Sequence, residues 1–432
     1  MHPSSDPRPP APPSHDAYPS PPASPAGPYP YPPDAPTVAP YAAASTPLYP
    51  YSYATPSQPY APTLPGLLPP PPPAPIMYQQ MPPLPAQAAV KARRVRTWYA
   101  VLALFFLAPM VGEMLSGSTP PAQFINPAMA LYLATFYGSG AILIRELARR
   151  RGLGWANILL LGAAYGILEE GLTVTSWFNP YWPDVLSLHG YSRLLHTNWF
   201  WAQSLTMYHA VVSITIPIIL AEAIFPRIAS RPWLRRRGFV GFVILLSISS
   251  LFTLLLFGFT AFRKQGYTHP PAAYLIALAL AVGLVIVGLR YSQPHADRPP
   301  VPEMRAVPGV WKLRLTALGA TMLFFLISWG LWQAFNWPVI PMLMLAGLGF
   351  VAARRVGAWS RRTGWGARQR LALATGVMSF FVLLAPIIEV MHPGEKNTTG
   401  MTFVALLWLA GMIALSVATA RRERRQGQRQ GA

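Results

Sequence analysis

Cysteine is absent from this chain of 432 residues, and acidic residues are scarce. Without cysteine the chain has no disulfide, no thiolate nucleophile and no cysteine-based metal site. Charged residues make up only 11% of the chain and hydrophobic residues 52%, which is typical of an integral membrane protein. Basic residues outnumber acidic ones by 34 to 14. Such an excess can indicate nucleic acid binding, but the placement of these residues has another explanation, so we expect no nucleic acid partner.

Proline is concentrated at one end of the chain. Residues 1–85 hold 31 of the 51 prolines, together with much Ala, Ser and Tyr. This composition cannot bury a core, so we predict that residues 1–89 are a disordered, proline-rich tail with local polyproline II conformation. The composition favours a soluble spacer. The alternative is a docking segment for protein partners with aromatic grooves.

Long apolar runs separated by short polar stretches follow from residue 97 onward. A membrane-spanning helix needs about 20 apolar residues. The pattern predicts an all-α, polytopic helical membrane bundle of about ten transmembrane helices within residues 90–420, followed by a basic tail at 421–432. The predicted spans are 97–116, 128–146, 155–176, 200–225, 239–261, 273–291, 315–333, 338–353, 371–390 and 401–419, with the eighth the shortest.

The basic residues predict the orientation of these spans. If the N-terminal tail lies inside, 30 of the 34 Lys and Arg residues fall in inside segments and four in outside loops. This asymmetry follows the positive-inside rule, so we predict a multi-pass protein of the cell membrane with both termini in the cytoplasm. Membrane lipids are the expected partners of the basic loops on that face.

Carboxylates inside predicted spans are the most unusual feature. Glu146 and Glu222 lie near cytoplasmic ends with arginines close by, and ion pairing explains them. Glu169 and Glu170 lie about 10 Å below the outer end of the third span, and His209 lies about 13 Å deep in the fourth. An ionisable group at such depth is costly and marks a functional site by default.

Polar residues at helical spacing extend this candidate site. One stripe runs along the third span and another along the fourth, and two more glutamates lie near outer span ends. The predicted centre is Glu169, Glu170 and His209, where a buried glutamate would serve as a general base. The predicted supporting residues are Glu113, Tyr165, Thr173, Gln203, Thr206, Ser213, Glu389 and His392.

No motif in a suitable setting defines a cofactor, and the paired-ligand spacing of a zinc site is missing. We therefore expect no cofactor and no metal. The loop at 177–201 is rich in Trp and Tyr, which indicates an interfacial aromatic belt or, alternatively, a lid over the pocket.

The pair Glu169-Glu170, with His209 in the next span, resembles the CAAX protease and bacteriocin-processing family of glutamate-dependent intramembrane proteases. Val174 stands where that family's first motif has arginine, and Leu205 where its second has phenylalanine; a third motif is missing from the next two spans. The resemblance covers about residues 145–225. The stretches GEMLSG, YGSGAILIRELARRRGLGW and YGILEEGL also resemble an uncharacterised group of bacterial multi-pass membrane proteins.

Three functions remain open at this point. The first is an intramembrane hydrolase centred on the two glutamates and the histidine, as the protease resemblance implies. The second is a transporter or proton-coupled permease that uses the same residues. The third is a non-catalytic structural or interaction protein in which the glutamates join helices. No internal repeat of the kind common in transporters is visible, which counts somewhat against the transporter function.

Overall fold

The computed structural model describes residues 97–291, 306–391 and 397–430. The predicted disordered tail at 1–89 and His392 lie outside the described residues. The segment from residue 421 onward, predicted as a separate basic tail, continues the last helix as far as Gln430.

Ten long helices account for most of the described chain, which confirms the all-α prediction. We number them α1 to α10 in chain order. Their bounds are Thr97–Met114, Pro127–Arg150, 155–173, Trp199–Ile224, Arg236–Ala261, Pro271–Arg290, Val310–Ala334, Val339–Ser360, Ala367–Met391 and Met401–Gln430.

Nine of these helices are long and apolar enough to cross a membrane, within the residues that the structure describes. The exception is α3, the third of the ten predicted spans. Its helix is continuous, but Asn157, Glu169 and Glu170 lower its hydropathy. The eighth span is longer than predicted, because its helix continues through Arg354 and Arg355 to Ser360.

Shorter elements connect the long helices. A hairpin lies between α3 and α4, in which Arg193–Leu194 pairs antiparallel with Thr197–Asn198. Short helical turns cover Pro121–Phe124, Pro183–Leu186, Pro226–Ile228 and Arg263–Gln265.

Local sequence explains where the helices of the core begin. Asn126 accepts a hydrogen bond from the Ala128 backbone N–H, and Pro127 occupies the first turn of α2. Asn198 caps α4 in the same way by accepting from the Trp201 N–H. Such caps satisfy N–H groups that have no partner within the helix.

Glycine allows α3 and α4 to approach closely. A Cβ atom at Gly162 would lie 3.0 Å from Ala210 Cα, and one at Gly166 would lie 3.0 Å from His209 Cβ. Small residues at such crossings are typical of membrane helix pairs. The approach brings the glutamates of α3 and the histidine of α4 onto facing surfaces.

A buried ionic cluster joins α2 and α4 at the other end of these helices. Arg145 Nη1 lies 3.0 Å from Glu146 Oε1, and Arg149 Nη2 lies 2.7 Å from Glu222 Oε2. Arg145 also donates to the backbone oxygen of Ala229 and stacks on Trp233. The predicted ion pairing of Glu146 and Glu222 is thus confirmed.

Candidate functional site

The carboxylates of Glu169 and Glu170 lie on either side of the His209 ring. Glu169 Oε2 is 3.0 Å from Nδ1, and Glu170 Oε1 is 3.2 Å from Nε2. The two glutamates therefore straddle the imidazole, as two consecutive residues of one helix can do when they point in different directions. The structure brings together all three residues at the centre of the predicted site.

Ser213, one turn beyond the histidine, fixes the orientation of the ring. Its Oγ is 3.0 Å from Nδ1 and forms the hydrogen bond at that nitrogen. Glu169 Oε2 is equally close to Nδ1 but lacks the direction of a hydrogen bond, and it is buried with no hydrogen-bond partner among the described residues. Glu169 Oε2 is thus held near the ring by charge rather than by a directed hydrogen bond.

Glu170 is the accessible member of the trio. Its side chain is 13% exposed, against 3% for Glu169 and for His209. Its second oxygen accepts a hydrogen bond from Ser176 Oγ, and Trp201 Nε1 donates to that same Oγ at 3.0 Å. Access to the site is therefore through Glu170, beside Trp201 in the first turn of α4.

Glu113 in α1 adds a further carboxylate to the polar interior. Tyr137 in α2 donates to its Oε1, and Thr119 Oγ1 donates to its Oε2 at 2.8 Å. The Tyr137 ring lies 6.2 Å from the His209 ring, measured between centroids. Four consecutive long helices thus contribute to one polar cluster.

A π-helical turn carries the polar residues in each of these four helices. The π-helical segments are Met110–Met114, Ala134–Gly138, Ile167–Thr173 and His209–Thr215. They hold Glu113, Tyr137, both central glutamates, and the histidine with its serine. π-Helical turns are rare and occur often at functional sites, because the wider turn redirects side chains.

The predicted supporting residues have several roles. Thr173 and Thr206 donate to carbonyl oxygens of their own helices. Gln203 donates to Met342 O in α8 at 3.0 Å. Tyr165 packs beside Tyr137, with centroids 6.1 Å apart, and its buried hydroxyl has no hydrogen-bond partner among the described residues.

Glu389, near the end of α9, caps the N-terminus of α10. Its two oxygens accept the backbone N–H groups of Gly400 and Thr402, at 2.8 and 2.7 Å. These bonds satisfy the N-terminus of α10, since the first N–H groups of a helix have no internal partners.

Sequence reasoning missed Tyr137 and Trp201 as neighbours of the site. The sequence does not mark Tyr137 as a site residue, because an aromatic residue in an apolar span is most often part of the core. Trp201 belongs to the aromatic loop, where a lid was one of two interpretations.

The loop between α3 and α4 has an unusual backbone. Thr175, His189, Ser192, Leu195 and His196 all have positive φ angles between 48° and 62°, although none is glycine. For a β-branched residue such as Thr175 this conformation is strained, and strain of this kind clusters at functional sites. Thr175 comes directly before Ser176, the partner of Glu170.

Residues at and just before the start of α6 also lie near the C-terminal end of α3. Tyr274 donates from its hydroxyl to Leu172 O at 2.9 Å, and His269 packs against the Tyr274 ring at 5.7 Å. Partial burial lowers the pKa of His269 from its usual value of 6.5, so the neutral ring is favoured at pH 7.

Comparison with known proteins identifies the family. Residues 102–424 match the sequence profile of an uncharacterized membrane protein family, and the chain belongs to that family. The protein is therefore an integral membrane protein. The resemblance to the CAAX proteases gains no support from this match.

An uncharacterized protein of Archaeoglobus fulgidus is similar to this chain, with 26% identity over 179 residues. That match covers 41% of this chain and about half, 53%, of the archaeal protein. No solved structure matches. The family and this relative thus carry no activity that transfers to the site.

Proposed function

We propose that this protein is a membrane-embedded hydrolase that cleaves an acyl bond, amide or ester, in a substrate held at the membrane. The observation that carries the proposal is the carboxylate–imidazole–carboxylate arrangement of Glu169, His209 and Glu170. Two glutamates that each lie within 3.2 Å of the same histidine ring, in an apolar bundle, form an acid–base group rather than a single structural contact.

Each residue has a distinct role in this proposal. Glu170 acts as the general base, because it is the accessible carboxylate of the three. His209 shares the proton through Nε2, while Ser213 holds the ring by its Nδ1. Glu169 places a second negative charge beside the ring and favours the protonated imidazole during the reaction.

The reaction requires one water molecule. Glu170 takes a proton from the water as its oxygen attacks the carbonyl carbon, and the proton then passes to the leaving nitrogen or oxygen as the acyl bond breaks. The water oxygen ends in the new carboxylic acid. The imidazolium of His209 is the nearest cationic group for the negative charge that develops on the carbonyl oxygen.

The structural alternative explains less of the geometry. A pair of glutamates that only joins helices needs hydrogen-bond partners for its oxygens, yet Glu169 Oε2 is buried without one among the described residues. Glu389, whose oxygens both accept backbone N–H groups, is the example of a structural glutamate in this chain.

Labelled water tests the proposal directly. The full chain in liposomes is mixed with native membranes that lack it, in water enriched in ¹⁸O, and products are analysed by mass spectrometry. We expect new peptides or fatty acids that carry ¹⁸O in a carboxyl group. Glu170→Gln should reduce their amount by about 100-fold or more, since a general base contributes about 10²–10⁴-fold.

Glu389→Gln is the matched control, because it changes a carboxylate to an amide at a helix cap. It should leave the labelled products unchanged. The thermal unfolding temperature shows whether each variant folds. No labelled product from the wild-type chain, or equal product from Glu170→Gln, would refute the hydrolase proposal.

A further inference from the structure

We propose that Glu169, Glu170 and His209 bind one divalent metal ion of the zinc type. The inference adds a metal ion to the hydrolase site proposed above. Only the role of the ion in the reaction rests on the hydrolase proposal. The ion site itself stands on the geometry, the burial and the charge of these three side chains.

The donor atoms are spaced for a shared ion. One donor atom from each residue lies within 4.8 Å of the other two. His209 Nε2 and Glu170 Oε1 are 3.2 Å apart. Two donors at about 2.0–2.1 Å from a tetrahedral zinc ion are about 3.3 Å apart, so this pair needs almost no movement.

The third donor is a buried carboxylate oxygen, Glu169 Oε2, that pairs with His209. It lies 3.0 Å from Nδ1 without the direction of a hydrogen bond, so its negative charge is incompletely satisfied in the interior, and a bound cation would satisfy it. Because the ion would lie at Nε2, the Glu169 carboxylate must turn from the Nδ1 side of the ring towards Glu170 to complete the ligand set.

Ser213 supports the histidine as a ligand. It occupies Nδ1 and leaves Nε2 for the ion. A metal-binding histidine usually has its second nitrogen held by a neighbouring polar group, which fixes the tautomer and the orientation of the ring. Ser176 supports Glu170 in the same way by donating to the oxygen that does not face the ring.

Charge also favours a cation at this position. Two ionised carboxylates in an apolar bundle need a compensating charge. Within the part of the chain that the structure describes, every ion pair of Glu169 and Glu170 is with His209, and the arginines pair with other glutamates. A divalent ion with a neutral imidazole balances both carboxylates, and the ion would then replace the imidazolium of His209 as the cation nearest the carbonyl oxygen.

The ligand set indicates the class of ion. Imidazole nitrogen and carboxylate oxygen are both zinc ligands, so one imidazole and two carboxylates could hold Zn²⁺ with a water in the fourth position. Such an ion would hold the water beside Glu170 and would lower the pKa of that water towards 7, which would supply the nucleophile.

Metal binding can be measured without a substrate. The purified full chain is stripped with a chelator, dialysed against Zn²⁺ and analysed by elemental mass spectrometry, with Co²⁺ absorption as a second readout. We expect one ion per chain. Glu169→Gln, Glu170→Gln and His209→Gln should each weaken binding by at least 10-fold, and Glu389→Gln, at the helix cap outside the ligand set, should not.

Affinity should also fall as the pH is lowered, because protons compete for the carboxylates and the imidazole. If the substitutions of Glu169 and His209 prevent folding, Glu170→Gln decides the test, because Glu170 is partly exposed. Absence of Zn²⁺ and Co²⁺ binding, or equal binding by all variants, would overturn the metal site.

The two proposals fail separately. Hydrolysis that persists after chelation, in a chain that binds no ion, would reject the metal and keep the hydrolase. One bound ion without labelled products would keep the metal site and reject the hydrolase.

Discussion

Helices α1, α2 and α4 differ sharply from α5 to α8 in how much of their apolar surface is buried. In the 18-residue apolar segments of the first three helices, 50%, 56% and 72% of the residues are buried. In those of the other four, the values are 11%, 22%, 17% and 11%. Apolar residues of α5 to α8 are instead exposed, as expected for contact with lipid. The first group forms the interior of the bundle and the second its boundary.

The two groups also differ in polarity. The interior holds the buried Arg145 and, together with α3, the trio, whereas polar side chains of α5 to α8 often bond to their own backbone, as Ser249 and Thr321 do. Costly buried polar groups are thus confined to the helices that surround the site. We expect substitutions in the interior group to be more harmful than matched substitutions at the boundary.

The largest expected effect is the loss of a buried arginine. Arg145→Met removes the nearer of the two cations of Glu146 and the donor to several carbonyl oxygens in the interior. Breaking a buried ion pair in this way costs about 3–5 kcal/mol. Unfolding of the purified protein in an SDS titration measures the change, and Arg354→Met on the exposed side of α8 is the control. Equal losses for both would contradict the division into interior and boundary.

A smaller effect is expected from added volume at a helix crossing. A Cβ atom at Gly138 would lie 2.3 Å from Phe105 O and 2.8 Å from its Cα, so Gly138→Ala must move a backbone. Overpacking of this kind costs about 1–3 kcal/mol. Gly283→Ala in α6, where no atom lies within 4 Å, should be neutral or slightly stabilising in the same titration.

The smallest effect on stability should come from removing one hydrogen bond between an interior helix and a boundary helix. Tyr132 in α2 and Thr253 in α5 share a hydrogen bond of 2.8 Å. Such bonds between membrane helices contribute about 0.6 kcal/mol on average, so Thr253→Val should lower the free energy of unfolding by about that amount. Adding Tyr132→Phe to Thr253→Val should cost little more, because the bond is already lost. A loss several times larger would show that the boundary is joined to the interior more tightly than one bond allows.

Much of the fold could be predicted from the sequence, because apolar length is a strong signal. The spans follow from hydropathy, and the ion pairs of Glu146 and Glu222 follow from the arginines close to them. The prediction of a membrane span was least well supported for α3, because the polar residues of its site lower the hydropathy by which a span is identified.

Rotation about the helix axes could not be predicted. Depth alone placed Glu169, Glu170 and His209 at one level, but an α-helical spacing cannot show which carboxylate meets which ring nitrogen. The same uncertainty put Glu389 in the predicted site, since its capping bonds depend on the path of the chain after α9. π-Helical turns change the phase of a helix, and no residue pattern in the sequence marks them.

Each π-helical turn amounts to one residue more than an α-helical turn would hold. In evolutionary terms, the site is thus encoded partly by residue count: losing a single residue within Ile167–Thr173 would restore an α-helix whose two ends keep their relative orientation, while the side chains within the turn would point in other directions. Both glutamates would remain in the sequence while the trio came apart. When relatives are aligned, a one-residue gap in these four turns therefore carries as much information about function as a substituted glutamate.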